Sequence, residues 1–205
     1  MKSKLISVDS LSLLKEIGKK IHTPHYNQHL LLDIAMTYPS DYEVVYVEIG
    51  CLNSTSACLM LQRPNTMVVS IDLGVPVSEK TVQENARLFN KFKNKFYYIQ
   101  GNSQIPETRE KLKKITSKID ILFIDGSHQY QAVVDDFYNY CVMILKGGFI
   151  VFDDYNNDTV RKAIHDIIEK EEENDKYEII GNIITDYNTG NDFILRKRSN
   201  LLDEV

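Results

Sequence analysis

The sequence predicts an α/β fold: a mostly parallel, doubly wound sheet closed by a C-terminal antiparallel hairpin, with a helical cap at the N-terminus. Three observations predict it. From Val44 onward, short β-rich runs alternate with amphipathic helical stretches, the runs are apolar almost throughout, and the chain ends in two strands around a polar turn. Near-continuous apolar strands are typical of parallel sheets covered by helices on both faces.

The strands are expected at regular intervals. Five apolar runs form the parallel part of the sheet, namely Val44–Ile49, Met67–Asp72, Phe96–Gln100, Ile119–Asp125 and Phe149–Asp153. Two further strands, Tyr177–Ile184 and Asp192–Arg196, flank the polar residues 185–191 and should pair as the hairpin.

Helical periodicity fills the intervals between the strands. A helix at about Thr55–Gln62 follows the first strand, and Ser78 is expected to cap a helix that carries Val82, Leu88 and Phe89. One apolar stripe is predicted from Tyr130 to Leu145 and a second from Val160 to Ile168.

The first forty residues are predicted to be helical at Leu11–Lys20 and His29–Met36, with a break at Thr23-Pro24. We assign residues 1–40 to a cap over the binding edge of the sheet. The cap is expected to belong to the same domain as residues 41–205.

Composition narrows the class of protein. The 205 residues are 43% hydrophobic and 26% charged, which fits one globular domain. The net charge of −5 argues against a nucleic-acid partner, and no apolar run is long enough for a bilayer. The three cysteines are odd in number and unpatterned, so we expect a reduced, cytoplasmic setting. A homo-oligomer is left open.

Polar residues stand where each parallel strand is predicted to end. Ligands of such sheets bind beyond the carboxyl ends of the strands, near the point where the strand order reverses. Carboxylates that end apolar strands cost free energy unless they are paired or used. The residues at this edge, in strand order, are Glu48, Gly50, Asn53 and Ser54, then Asp72, then Gly101, Asn102 and Ser103, then Asp125 and His128, then Asp153 and Asp154.

The loop after the first strand favours S-adenosylmethionine over NAD as the cofactor. NAD binding needs Gly-x-Gly-x-x-Gly so that the backbone can approach the pyrophosphate, and only Gly50 is present, with Leu52 and Thr55 at the other positions. S-adenosylmethionine has no phosphate, and Asp72 lies where an acid accepts from ribose hydroxyls. Helix capping is the alternative role for Glu48 and Asp72. The predicted cofactor-binding residues are Glu48, Gly50, Asn53, Ser54, Asp72, Gly101, Asn102, Ser103 and Asp125.

A metal site is predicted at the ends of the fourth and fifth strands. If these strands are neighbours, their ends lie about 5 Å apart, which brings together Asp125, Asp153, Asp154 and His128. Three carboxylates so close repel one another, and Mg²⁺ or Mn²⁺ would relieve the repulsion. The alternative is that Asp125 and Asp154 cap the helices that follow them. Asp125 and His128 are the predicted catalytic residues.

Three segments carry a family resemblance. Ile121–Tyr130, Leu145–Gly148 and Phe152–Tyr155 resemble the macrocin and mycinamicin sugar O-methyltransferases, a group that includes proteins labelled cephalosporin-hydroxylase-like. The resemblance covers roughly residues 44–168. It implies a class I S-adenosylmethionine-dependent O-methyltransferase that acts on a hydroxyl of a sugar, a sugar nucleotide or a glycosylated small molecule. It further implies that Asp125, Asp153 and Asp154 bind Mg²⁺ and that His128 is the base.

Two rival functions stay open from the sequence. A catechol-type O-methyltransferase uses a similar metal site but needs an apolar clamp around an aromatic diol. A non-catalytic Rossmann binding protein would not bind the cofactor. Base methylation of nucleic acids is disfavoured, because the fifth strand ends in Asp153-Asp154-Tyr155 and lacks the Asn/Asp-Pro-Pro-aromatic motif of amino-group methylation.

Overall fold

The computed structural model describes residues 9–21, 28–172, 175–184 and 191–198. In these residues the strands are β1 Val44–Ile49, β2 Thr66–Asp72, β3 Lys95–Gln100, β4 Ile119–Ile124, β5 Ile144–Phe152, β6 Tyr177–Ile184 and β7 Asn191–Lys197. They form one sheet in the order β3-β2-β1-β4-β5-β7-β6. β1 to β5 are parallel, and β7 runs antiparallel to both β5 and β6. The predicted fold class is therefore confirmed.

The helices are α1 Ser10–Ile21, α2 His29–Met36, α3 Thr55–Met60, α4 Glu79–Phe89, α5 Pro106–Ile115, α6 Tyr130–Tyr140 and α7 Asp158–Glu172, with a 3₁₀ turn at Cys141–Met143. Ser78 caps α4 as predicted, since its hydroxyl accepts from the Thr81 N–H at 3.3 Å. In the part of the chain that the structure describes, no helix has the length and apolar character needed to cross a membrane.

The sheet is buried on both faces because alternate residues of its central strands enter different cores. Val45 and Val47 of β1 share a core with α5, α6 and α7, whereas Val44 and Tyr46 pack with α2, α3 and α4. α1 lies outside α3, where Leu14 contacts a smaller apolar cluster. The helices on the two faces hold the strands in position, and the carboxyl ends of the strands form the binding edge.

The N-terminal helices pack on α3, and Gln28, just before α2, reaches the cleft described below. The assignment of residues 1–40 to a cap within one domain stays a prediction. The break expected at Thr23-Pro24 and residues 185–190 of the hairpin turn lie outside the described residues.

The predicted apolar stripe from Tyr130 to Leu145 was wrong at its end. α6 stops at Tyr140, and Ile144 begins β5 by pairing with Ile119 of β4. Gly148 permits this close passage, because a Cβ there would lie 2.9 Å from the Asp120 carbonyl oxygen. Ile144 and Leu145 continue the helical spacing by coincidence, so periodicity alone extends the helix too far.

The expectation that the parallel strands are buried on both faces was wrong for β3. β3 is an edge strand, and of its side chains Ile99 alone is buried, whereas Tyr97 is exposed. On α4 the buried positions are Val82, Ala86 and Phe89, whereas Leu88 is exposed. The helices cover the central strands on both faces and the edge strand only in part, and a run of apolar residues does not indicate which strand lies at the edge.

Glu48 is a fully buried acid near the end of β1. The hydroxyls of Ser56 and Tyr46 donate to its Oε2 at 2.5 and 2.9 Å, and the Ser70 hydroxyl donates to Oε1 at 2.6 Å. Burial raises the pKa of Glu48 to about 7, although the hydroxyl donors act in the opposite direction. Glu48 therefore ties β1 to β2 and α3 through hydroxyl groups and has no cationic partner among these contacts.

Glu48→Gln should change how stability depends on pH. The folded protein keeps the Glu48 proton up to about pH 7, whereas the ordinary pKa of a glutamate is 4.5. The stability that this proton contributes is complete below pH 4.5 and is lost as the pH rises to about 7. We expect the free energy of unfolding of E48Q, relative to that of wild type, to rise by about 2–3 kcal/mol between about pH 5 and pH 7.5, measured by urea unfolding. Glu79→Gln, at an exposed position of α4, is the control. An equal difference between E48Q and wild type at both pH values would contradict the prediction.

Candidate active site

A cleft of about 460 Å³ lies at the carboxyl edge of the sheet, above β1 and β4, where the strand order reverses. Its size is within the range of about 300–1,000 Å³ typical of small-molecule sites. Of the residues predicted from the sequence, those that line it are Gly50, Asp72, Gly101, Asn102, Ser103, Asp125, His128 and Asp154.

The first loop can enter the cleft because Gly50 has no side chain. Its φ is +82°, and a Cβ would lie 1.9 Å from the carbonyl oxygen of Asp125. The backbone N–H of Asp125 donates to the Ile49 carbonyl at 2.8 Å, so the β1–β4 hydrogen bonding continues past the strand ends. The loops after β1 and β4 therefore lie against each other and form one wall.

Asp72 organises the same loop from the end of β2. Its Oδ2 accepts from the N–H groups of Cys51 and Leu52 at 2.9 and 3.2 Å, and its Oδ1 accepts from the Gly74 N–H at 2.7 Å. Asp72 thus holds the backbone of both adjoining loops and also lines the cleft. Its predicted contact with a ribose stays a prediction.

The loop after β3 forms the far end of the cleft. The Gly101 N–H donates to the Asp72 carbonyl at 2.9 Å, which fixes the start of this loop on β2. Asn102 turns its Oδ1 back to the N–H of Gln104 at 2.9 Å, and the Ser103 carbonyl accepts from the Tyr140 hydroxyl at 2.9 Å. These bonds hold the loop, and Ser103 within it is buried.

Four predicted site residues lie away from the residues that line this cleft. Glu48 is beneath its floor, because alternation along β1 directs its side chain toward Ser56 and Ser70. Ser54 is fully buried with a left-handed backbone, and the Asn53 carbonyl accepts from Asn85. Asp153 is buried, and its Oδ1 accepts from the backbone N–H of Asp154 at 2.7 Å.

Asp125, His128 and Asp154 place one ligand atom each within 4.8 Å of one another. The Nε2 of His128 lies 2.7 Å from the Oδ2 of Asp154, and both side chains are partly exposed to the cleft. The condition set for the metal site, that β4 and β5 are neighbours, is met, since the strands pair and the Asp153 N–H donates to the Ile124 carbonyl at 3.0 Å. Asp154 has a left-handed φ of +56°, which turns its side chain out of the strand direction.

The acids of this cluster fit a divalent cation. The pKa of Asp125 lies well above its usual value because burial disfavours the charge, and Asp153 and Asp154 add repulsion. A bound cation would lower the pKa of Asp125, because it offsets both the cost of burying the charge and the repulsion between the carboxylates. The carboxylates of Asp125 and Asp154 are the hard oxygen ligands that Mg²⁺ and Mn²⁺ prefer, with water or ligand oxygens completing the shell.

The charges along the cleft restrict its ligand. The described lining residues include the acids Asp72, Asp125 and Asp154 and contain no lysine or arginine. A ligand with phosphate groups would find no cationic partner among these residues. A ligand with positive charge, by contrast, matches the potential of the cleft. This agrees with the glycine-poor first loop, which also disfavours a pyrophosphate.

Sequence reasoning did not identify Gln28, which lines the cleft and is buried. No motif surrounds it, and only the packing of α2 on α3 brings it to the binding edge. Thr55, at the start of α3, also lines the cleft, although the sequence analysis used it only as a missing glycine.

Comparison with known proteins gives the family. Residues 47–155, more than half of the chain, match the family described as "Methyltransferase domain". The chain is 34% identical over 191 residues to the uncharacterized protein R132 of Acanthamoeba polyphaga mimivirus, with 87% of this chain and 85% of that protein covered.

Solved structures share the fold at low sequence identity. The O-methyltransferase from Bacillus cereus in complex with SAH has a TM-score of 0.67 and 16% identity, with 95% of this chain and 93% of that chain covered. The MycE methyltransferase from the mycinamycin biosynthetic pathway, in complex with Mg and SAH, has a TM-score of 0.66 and 18% identity. That alignment covers 94% of this chain and 56% of MycE, so the chain spans just over half of MycE. The chain belongs to the methyltransferase-domain family and has the Rossmann-like fold of the class I methyltransferases.

Proposed function

We propose that this protein is an S-adenosylmethionine-dependent, metal-assisted O-methyltransferase that acts on a hydroxyl of a sugar or glycosylated small molecule. The observation that carries the proposal is the cluster of Asp125, His128 and Asp154, which lies in the same cleft as Asp72. Two carboxylates and an imidazole at one point can hold a cation and accept a proton. Asp72, on the other side of the reversal in strand order, can accept from a ribose.

The cofactor follows from the family and from charge. S-adenosylmethionine carries a sulfonium and an ammonium group and no phosphate, which suits a cleft lined by acids and without lysine or arginine among its described residues. The Bacillus cereus enzyme and MycE, which share the fold, are described in complex with SAH. Asp72 and the loop after β3 would hold the adenosine, and the loops after β1 and β4 would hold the methionine part.

His128 is positioned to act as the base. Asp154 accepts the proton on Nε2 at 2.7 Å, so Nδ1 keeps its lone pair and can take the proton of the acceptor hydroxyl. When bound, S-adenosylmethionine would supply the electrophilic methyl group, and a cation held by the carboxylates of Asp125 and Asp154 would lower the pKa of the hydroxyl. With its proton taken by His128, the hydroxyl oxygen would bond to the methyl carbon as the carbon–sulfur bond breaks, and the products would be a methyl ether and S-adenosylhomocysteine.

The lining beside His128 favours a neutral, polar acceptor, whereas the apolar side chains of Leu52, Leu73 and Val75 line the cleft near Asp72. Near His128 the cleft is formed by Gly126, Ser127 and Asp154, and its described lining contains no aromatic side chain to clamp a catechol ring. The same lining lacks the cations that a sugar nucleotide would need for its phosphates. Together with the resemblance to sugar O-methyltransferases, this favours a sugar or a glycosylated molecule as the acceptor.

Asp72→Asn should weaken binding of S-adenosylhomocysteine about tenfold, because a charge-assisted hydrogen bond to the ribose is lost. Asparagine keeps one acceptor oxygen for the N–H groups of Cys51 and Leu52, so the first loop should persist, although the bond from the Gly74 N–H is lost. Titration calorimetry measures the change, and Asp158→Asn, at an exposed position of α7, is the control. An unchanged affinity would assign Asp72 to loop capping alone.

His128→Ala should slow the chemical step by about 10²–10⁴ through loss of the base. Affinity for S-adenosylhomocysteine should stay near wild type. Single-turnover methylation of a hydroxyl acceptor separates the two effects, and His165→Ala is the control because His165 pairs with Tyr155 outside the cleft. A single-turnover rate equal to wild type would remove His128 from the mechanism.

Metal dependence tests the whole arrangement. Chelation should abolish methyl transfer, and Mg²⁺ or Mn²⁺ should restore it. We expect Asp125→Asn and Asp154→Asn to lose Mn²⁺ binding in an electron paramagnetic resonance titration, because each removes a carboxylate of the cluster. Asp153→Asn tests the third predicted ligand, and Asp158→Asn should bind Mn²⁺ as wild type does.

Full activity in excess chelator would overturn the metal-assisted mechanism. A wild-type protein that binds no S-adenosylhomocysteine would favour a non-catalytic binding protein.

A further inference from the structure

Gln28 carries an unpaired polar atom inside the cleft. Its side chain is 2% exposed and lines the cleft, and no group in the described part of the chain donates to its Oε1. A buried acceptor without a partner costs free energy. A residue with an apolar side chain of similar size would avoid this cost, so the oxygen is best explained by a ligand that donates to it.

Thr55 presents a second unpaired group in the same cleft. Its side chain is 3% exposed, and its Oγ1 also has no partner within the described residues. An amide oxygen can only accept a hydrogen bond, whereas a hydroxyl can donate one. Gln28 and Thr55 together therefore suit a ligand end that carries one donor group and one acceptor group.

The place of these two residues identifies which end of the cofactor they face. Asp72 and the β3 loop occupy the side proposed for the adenosine, and His128 and Asp154 occupy the side proposed for the methyl acceptor. Gln28 precedes α2 and Thr55 begins α3, so both belong to the helical layer over β1, and β1 lies between β2 and β4 in the sheet.

We infer that Gln28 is a positioning residue whose Oε1 accepts a hydrogen bond from the α-ammonium group of the cofactor's methionine end, with the Thr55 hydroxyl donating to the adjoining carboxylate. The inference rests on the proposed function. It assigns the N-terminal segment a direct part in holding the cofactor: the ammonium group, anchored at Gln28, sets how far the sulfonium methyl group extends toward His128.

Two ligands that differ only in the amino-acid end test this role. S-adenosylhomocysteine has that end, and 5′-methylthioadenosine lacks it. Gln28→Met keeps the side-chain volume but removes the acceptor, so it should bind S-adenosylhomocysteine about tenfold more weakly and 5′-methylthioadenosine as tightly as wild type. Gln28→Glu keeps an acceptor oxygen and should retain most of the affinity for S-adenosylhomocysteine. Gln83→Met, at an exposed position of α4, is the matched control.

Calorimetric titrations of both ligands give the outcome, and thermal unfolding without ligand checks the fold. The Gln28→Met midpoint should be no lower than wild type, since the substitution removes an unpaired buried oxygen. If Gln28→Met loses the same affinity for both ligands, or loses affinity for neither, the role of Gln28 is overturned. If wild type binds 5′-methylthioadenosine and S-adenosylhomocysteine equally well, the amino-acid end has no anchor and the inference also fails. If wild type binds neither ligand, the proposed function itself fails, which is a different result.

Discussion

The close contact between Gly50 and the backbone of Asp125 is the constraint on which the binding edge depends. β1 and β4 are neighbours at the reversal of strand order, and their loops can meet only because position 50 has no Cβ. Asp72 then bonds the N–H groups of the same loop, and the loop after β3 is fixed to the Asp72 carbonyl. One glycine therefore joins the side proposed for the adenosine to the cluster of Asp125, His128 and Asp154, so that both belong to one cleft.

The accumulation of acids at this edge costs free energy as long as no cation is bound. Burial and the neighbouring carboxylates raise the pKa of Asp125, and burial also raises the pKa of Glu48 beneath the floor. The surroundings of the two acids differ, however. Three hydroxyls satisfy Glu48, so it is a closed part of the core, whereas Asp125 opens onto the cleft. Only the second kind of acid gains from a cationic ligand or a metal, which is why the acids of the cleft indicate function and Glu48 indicates packing.

The sequence was sufficient to predict the sheet and most of the residues at its edge. Val44–Ile49 was predicted with the bounds that the structure shows, and the apolar runs located the ends of β4 and β5, whereas the pairing of these strands was left as a condition. The start of β5 was not predictable, because Ile144 fits a helical stripe equally well. The direction of the Glu48 side chain depends on which face of β1 meets α3, and that is a property of the packed layers. Local patterns specify which residues end a strand, but not where their side chains point.

Gln28 is a second example of a position that local sequence patterns do not specify. It belongs to no motif and to no strand, and it reaches the binding edge only because α2 is held on α3. Leu31 packs into the core that includes Met60 of α3, and Leu32 packs with Leu59 in the outer cluster together with α1. Residues far from the chemistry thus fix where an acceptor lies inside the cleft. The sheet supplies the acids through its strand ends, whereas the N-terminal helices supply a polar group through their packing, so changes to the packing of α1 or α2 would alter the cleft without touching any residue of the cluster.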